Sequence, residues 1–460
     1  MAVARGTAGR GAYGVRLVEP LEPEWADVLA TVARARGWPS ANDPEKLGRL
    51  VASLAAAYND PSRARAAMRD AGAARLGFSF ARDVPKGAAA VRELVAAGAL
   101  RAETPDTPLR VLDVGAGLGA MTWGLLRALD ARAADAVRAL DGAYAPDTRP
   151  PLPPRVHATW VDTDAEALET GMAIVRARPA RGPVELTVRT VARGIDRVDD
   201  LGRFDVVLLG NVLSELEVGA AGDAREASHA ALLCRFLEER LAPHGTLVVV
   251  EPALRDRTRH LHRVRDRITN AGHSVFAPCL HDAPCPALRR ETDWCHEDLA
   301  VDLPAWLVPV ARAAGLRHEG LTFSYLVLCR DRARLIDGIP KNPGAGRLRV
   351  VSDVIRSKGK REVFMCGEFA NEPNEPNEPN EPNEPNEPNE SMVCDRVRVM
   401  RLDRDEHAVN DAFSTLHRGD VVVVDPAPAW ARPRVGVANS VRGPIEADRE
   451  GTYARDSESR

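Results

Sequence analysis

The stretch APCLHDAPCPALRRETDWC, residues 277–295, holds three of the chain's seven cysteines, Cys279, Cys285 and Cys295, spaced C-x5-C-x9-C. Thiolates are ligands for zinc and for iron–sulfur clusters. Free cysteine is also commonly buried as a small apolar residue. Three thiols within 17 residues, flanked by proline, His281 and Asp282, favour ligation over simple burial. Zinc knuckles and redox pairs use C-x2-C spacing, which is absent here, so the spacing leaves zinc and iron–sulfur equally open.

A second group suits a nucleotide-like ligand. VLDVGAGLGAMTWGLL sets an apolar strand before Gly115, Gly117 and Gly119, and a helix opens at about Ala120. Such glycines let the backbone turn and approach a ligand at a helix N-terminus. The spacing is GxGxG, with Asp113 inside the strand. Asp162 ends the next strand (TWVDTD), placed to accept hydrogen bonds from a ribose diol. Its competing role is to cap the helix that follows, which Asp164 could do instead. Asn211, at the end of FDVVLLGN, completes the candidate cofactor set.

These residues need a frame. LRVLDVG, RVHATWVD, FDVVLLGNVL, GTLVVVEP and FSYLVLCRD alternate with helical segments, the pattern of a mostly parallel sheet wrapped by helices. The expected fold class is therefore α/β, with a Rossmann-like domain over 106–330 that carries a metal-binding loop at 277–296. Residues 20–105 read as a helical region, from segments such as EKLGRLVASLAAAY. Residues 331–445 read as a small β-rich domain (KREVFMCGE, DRVRVMRLDR, GDVVVVDPAP). It is interrupted by the repeat NEPNEPNEPNEPNEPNEPNE, 371–390, in which proline at every third place blocks helix and ladder alike. That repeat, residues 1–19 and residues 446–460 are expected to be disordered.

Composition narrows the class. At 460 residues two or three domains are expected. Lys+Arg of 62 against Asp+Glu of 66 gives a net charge of -4, which does not itself announce nucleic acid. Only Lys46, Lys86, Lys341, Lys358 and Lys360 are lysine; the other 57 basic residues are arginine, as GC-rich coding produces. The basic N-terminus has no apolar signal core, and no run reaches the ~20 apolar residues of a membrane span. Scattered, odd-numbered cysteines point to a reducing compartment, so the expectation is a cytoplasmic monomer with no membrane contact.

The run from glycine loop to final strand resembles the class I S-adenosylmethionine-dependent methyltransferases. VFAPCLHDAPCPALRRETDWCHEDL, together with DVVLLGNVLSELE, LVVVEPA, FSYLVLCRD and RGDVVVVD, resembles the mitochondrial small-ribosomal-subunit methyltransferase-like family and its bacterial relatives. The resemblance spans most of 75–425, and departs from the family pattern at Pro85 and Lys86. It implies bound S-adenosylmethionine, a [4Fe–4S] cluster rather than zinc, and rRNA and proteins of the small ribosomal subunit as partners. It also implies a fourth cysteine ligand from the C-terminal region. Cys366, after the basic stretch SKGK, matches the family's strand-borne cysteine; Cys394 is the second choice and Cys329 reads as core. His281 and His296 are open as ligands too, but read better as groups that stand behind the ligands or face RNA. The arginine-rich segment LRDRTRHLHRVRDR, 254–267, and Ser357–Lys360 become candidate rRNA contacts. No catalytic base stands out, and no Asn/Asp-Pro-Pro-aromatic clamp follows FDVVLLG. A catalytically inactive assembly or RNA-binding factor is therefore the alternative to a methyltransferase, and a small-molecule methyltransferase is the second alternative.

Overall fold

The computed structural model describes residues 18–59, 71–104, 106–140, 153–178, 182–216, 222–339, 346–370, 392–402, 416–425 and 434–436. The NEP repeat, the C-terminal tail and the first 17 residues lie outside the described residues.

Eight strands form the first sheet: β1 (Leu109–Val114), β2 (Arg155–Asp162), β3 (Glu185–Ala192), β4 (Phe204–Gly210), β5 (Leu241–Glu251), β6 (Val275–Ala277), β7 (Glu297–Leu299) and β8 (Leu321–Cys329). Their order is β3-β2-β1-β4-β5-β8-β6, with β7 also paired to β8. The first five are mutually parallel, and β8 runs against β5, β6 and β7. A parallel sheet that turns outward in both directions from β1, closed by one reversed strand, is the class I methyltransferase arrangement that the alternating segments suggest.

The central strands are apolar along their whole length because both faces are covered. On β4, Val206 and Leu208 enter one core while Val207 and Leu209 enter the other. Val248 and Val250 on β5 likewise oppose Leu247 and Val249. The first core is covered by α1 (Glu24–Ala35), α2 (Pro44–Asn59), α3 (Phe80–Ala97), α4 (Ala120–Leu140) and α5 (Ala165–Ala177). The second is covered by α6 (Asp223–Arg235) and α7 (Arg255–Asn270). A short α8 (Val308–Ala313) packs on α2.

Helix α3 is buried almost all round, and it crosses α4 where a Cβ on Gly124 would overlap the backbone of Val84 and Ala88. Lys86, at the departure from the family pattern, is buried there and bonded to Asp83 at 2.7 Å, and burial pushes its amine below the usual lysine range.

The second sheet is antiparallel and contains β9 (Gly346–Val350), β10 (Ile355–Ser357), β11 (Lys360–Ala370), β12 (Met392–Leu402), β13 (Val421–Asp425) and β14 (Arg434–Gly436). Its order is β10-β11-β9-β13-β14, with β12 on β11. Val421 of β13 belongs to the same core as the N-terminal helices and β8, so the second sheet packs onto the first. Among the described residues no helix is long and apolar enough to cross a membrane.

Candidate functional site

The glycine turn forms where β1 meets α4. Gly115 and Ala116 donate to Val161 O at 2.8 and 3.1 Å, tying the turn to the end of β2. Gly117 donates to Asp162 Oδ2 at 2.8 Å, while Asp162 Oδ1 accepts from Asp164 N at 2.9 Å. Asp164 is the residue that caps α5, accepting from Ala167 N at 3.0 Å. Asp162 is therefore free of capping and stands at the turn. Gly119 has φ +79°, and a Cβ there would overlap the Trp160 ring, so no other residue fits.

Asp113 lies behind the turn, 1 % exposed, accepting from Thr122 N at 3.1 Å and Thr122 Oγ1 at 2.6 Å. Thr122 in turn accepts from Trp160 Nε1 at 2.9 Å. Burial pushes the Asp113 carboxyl up to about 7, against the Thr122 bonds that lower it. The native state thus keeps a proton that the unfolded chain releases near pH 4. The stability this proton carries is full below about pH 4 and is lost as pH rises through about 7. Asp113→Asn, neutral throughout, should gain on wild type between pH 5 and 8, by no more than about 4 kcal/mol. Denaturant melts across that range check this; a pH-independent difference would remove Asp113 as the titrating group.

The loop after β4 lies against the turn, with Val212 beside Gly115. It begins at Asn211, which adopts φ +61° and donates to Val250 O at 2.7 Å. Glu251, at the end of β5, accepts from Leu213 N at 2.9 Å, Ser214 N at 3.1 Å and the Ser214 hydroxyl. Burial raises its carboxyl to about 7. Arg225 donates to the carbonyls of Leu213 and Leu216, and Arg257 to that of Ser214. Glu251 was not singled out by sequence; its only signal is an acid ending an otherwise apolar strand.

The cysteine centre lies between the two sheets. Cys279, Cys285 and Cys295 from the loop and Cys366 from β11 line one cavity of about 60 Å³, with His281 and Trp294 also in its wall. Cys366 Sγ is 3.5 Å from His281 Nε2. Cys329 is buried on β8 beside Thr246, as expected of core. Cys394 sits in β12 opposite Glu368, its side chain outside the described residues. Burial, then the neighbouring thiols, push the Cys285 and Cys366 thiols far above their usual range. Among the described residues, no three His, Cys, Asp or Glu side chains converge closely enough to hold a single metal ion.

Helix α7 organises this loop. Arg259 donates to the carbonyls of Ala287, Arg290 and Asp293 at 3.0, 2.7 and 2.6 Å. Buried Arg265 donates to the carbonyls of His281 and Ala283. Asp266 accepts from Cys285 N at 3.0 Å, and His262 Nε2 accepts from Cys295 N at 3.1 Å. Burial and the flanking Arg265 and Arg259 push His262 down to about 3, which keeps the imidazole a neutral acceptor. The segment expected to present arginines to RNA thus turns much of its charge inward. Arg263 and Arg267 pair with Glu226 and Asp223 on α6, and Arg257 holds the β4 loop. The missed signal was the i, i+3, i+7 spacing of Arg259, His262 and Asp266 on one helix face.

A buried ionic network lies beneath the cavity. Arg349 of β9 pairs with Glu93 of α3 at 2.7 Å, Tyr325 Oη donates to Glu93 at 3.0 Å, and Arg92 pairs with Glu297 at 2.6 Å. It joins the second sheet and β7 to the helix that packs on the glycine-turn helix.

No curated protein matches the chain. Among solved structures, the plantazolicin methyltransferase BpumL in complex with SAH aligns at 11% identity over 63% of this chain and 98% of that one, with a TM-score of 0.30. A precorrin-6y C5,15-methyltransferase from Geobacter metallireducens aligns at 14% identity over 52% and 87%, TM-score 0.26. A methyltransferase homolog from Pyrococcus horikoshii aligns at 14% over 54% and 66%, TM-score 0.29. At these scores the likenesses carry no weight, and the fold rests on the strand order. Residues 153–372 match the family model described as Rsm22, mitochondrial small ribosomal subunit Rsm22, a segment that runs from β2 through the cysteine loop to β11. That segment, a little under half of the chain, is what resembles the Rsm22 family, and it lies on a sheet with the Rossmann-like strand order described above.

Proposed function

We propose that the protein is an S-adenosylmethionine-binding, methyltransferase-like factor that acts on or assembles the small ribosomal subunit through its rRNA, as a cytoplasmic monomer. In this reading Cys279, Cys285, Cys295 and Cys366 hold a [4Fe–4S] cluster. The observation that carries it is the meeting of these four thiols, three from the loop and one from β11, in one cavity.

The donor set fits such a group. Four cysteine thiolates are the ligand set that iron–sulfur clusters take. The cavity of about 60 Å³ exceeds the roughly 10–15 Å³ that one water requires, so it suits several atoms better than a lone ion. Buried His281 Nδ1 and His296 Nδ1 have no hydrogen-bond partner, polar capacity that a polar guest would use. Once bound, an iron–sulfur cluster supplies iron–thiolate bonds that exist only in the folded state, and one-electron redox capacity. The chain's own part is to aim the thiols: Asp266 and His262 take the N–H groups of Cys285 and Cys295, and Arg259 and Arg265 hold the loop's carbonyls.

At the other centre, Gly115, Gly117 and Gly119 bring the chain close to the ligand at the N-terminus of α4, with Asp113 bracing the turn from behind. Asp162 accepts from the ribose hydroxyls, and Asn211 presents from the β4 loop. Asp162→Ala should weaken S-adenosylmethionine binding by on the order of 1.5–3 kcal/mol. Unchanged affinity by calorimetry, in a folded variant, would take Asp162 out of the site.

One observation favours the reading without methyl transfer. Glu251, the buried acid that ends β5, is committed to the β4 loop's own N–H and hydroxyl groups, and no Pro-Pro-aromatic clamp follows FDVVLLG. Cross-linking the protein to RNA in cells and sequencing the fragments tests the shared claim. Enrichment of small-subunit rRNA is expected; its absence would leave the small-molecule methyltransferase reading.

A further inference from the structure

At the mouth of the cysteine cavity, Trp294 is 36 % exposed, one of three large apolar side chains so exposed among the described residues. Its ring lies nearly parallel to that of His296, 16° between planes and 5.7 Å between centroids. A tryptophan held flat by a neighbouring ring, yet open to solvent, is what proteins use to stack an unpaired base.

A basic hairpin follows Asp353, the residue that Arg418 links to the Trp294–His296 segment. Strands β10 and β11 are joined at Lys358–Gly359, Gly359 having φ +78°, and Ile355, Arg356, Ser357, Lys358 and Gly359 are all exposed. IRSKGKR, residues 355–361, carries four cations and no acid. Its register sets Arg356 directly opposite Arg361, which concentrates positive charge on the hairpin.

The ring and the hairpin are tied by one residue. Arg418 donates to His296 O at 3.2 Å and to Val351 O at 3.1 Å, and reaches Asp353 Oδ1 at 3.5 Å, two residues before Ile355.

We propose that Trp294 and the hairpin 355–361 form one surface for single-stranded RNA, with an unpaired base stacked on Trp294 and flanking phosphates on Arg356 and Lys358. This rests on the reading that the protein works on rRNA, and adds that it takes an unpaired segment beside the cysteine cavity. Stacking is indifferent to salt, whereas phosphate contacts are not, so the two halves are separable.

The test uses the full-length, anaerobically purified protein and a short oligouridylate, with an abasic strand of equal length as comparison, titrated at several salt concentrations. Trp294→Ala should weaken oligouridylate binding about tenfold, leave the salt slope unchanged and leave the abasic strand unaffected. Trp294→Phe should keep most of the affinity, which guards against a folding defect. Arg356→Gln with Lys358→Gln should lower the salt slope by about 1.4, at roughly 0.7 per contact. Wild-type affinity in Trp294→Ala, or a loss matched by loss of iron and sulfide, would overturn the proposal while sparing the rRNA reading. A wild type that binds neither strand would overturn both.

Discussion

Serine at Cys279, Cys285, Cys295 or Cys366 is expected to bleach the anaerobically purified protein, strip its iron and sulfide, and expose the second sheet to protease. Serine at Cys234, half-buried on α6, or at Cys329, buried on β8 beside Thr246, should do none of these. The asymmetry follows from placement. The first four thiols share a cavity whose walls come from both sheets, so ligand bonds there would hold the sheets together. The loop buries Leu280 and Ala287, and arginine and aspartate contacts to its backbone complete its order. Losing one ligand therefore removes a cross-link that adds to the shared core around Val421 and the Glu93–Arg349 pair. A bleached Cys394→Ser with a coloured Cys366→Ser would move the fourth ligand to β12.

Glu93→Ala should be the most damaging single substitution away from the cysteines, at about 3–5 kcal/mol, because it leaves a buried guanidinium without its counter-charge. Glu93 is 1 % exposed and holds both Arg349 and the Tyr325 hydroxyl. The pair need not be stabilising as a pair. Replacing both partners together, Glu93→Leu with Arg349→Met, should recover much of the loss, since well-packed apolar residues match a buried ion pair at lower desolvation cost. Urea unfolding of the three variants decides it. A loss under about 1 kcal/mol in Glu93→Ala would mean that water reaches Arg349 and the network is not sealed.

What could be read from the residues was local. Apolar runs such as FDVVLLG, with both faces buried, and the glycine turn with its following helix lead directly to β4, β1 and α4. The choice between Asp162 and Asp164 as helix cap was visible as a choice, and the α5 cap geometry shows Asp164 in that role. The contents of the cavity were harder, because its walls are built from segments far apart in the chain. Arg347 and Arg349 on β9 are buried, paired with Glu368 and with Glu93 on a distant helix. Nothing near Arg349 announces that partner. The arginine-rich helix misled for a related reason: charge on a helix reads as a solvated or RNA-facing surface, whereas Arg259 and Arg265 satisfy carbonyls of a loop that has no ladder to join.

Three loop thiols and Cys366 of β11 are proposed to share one iron–sulfur cluster. Mössbauer spectroscopy on iron-57-labelled protein kept from air, with iron and acid-labile sulfide assayed on the same sample, tests it most directly. The expected result is a single cubane-type signal with iron and sulfide in equal amounts, absent from Cys366→Ser. Stoichiometric zinc without sulfide, in protein never exposed to oxygen, would contradict it.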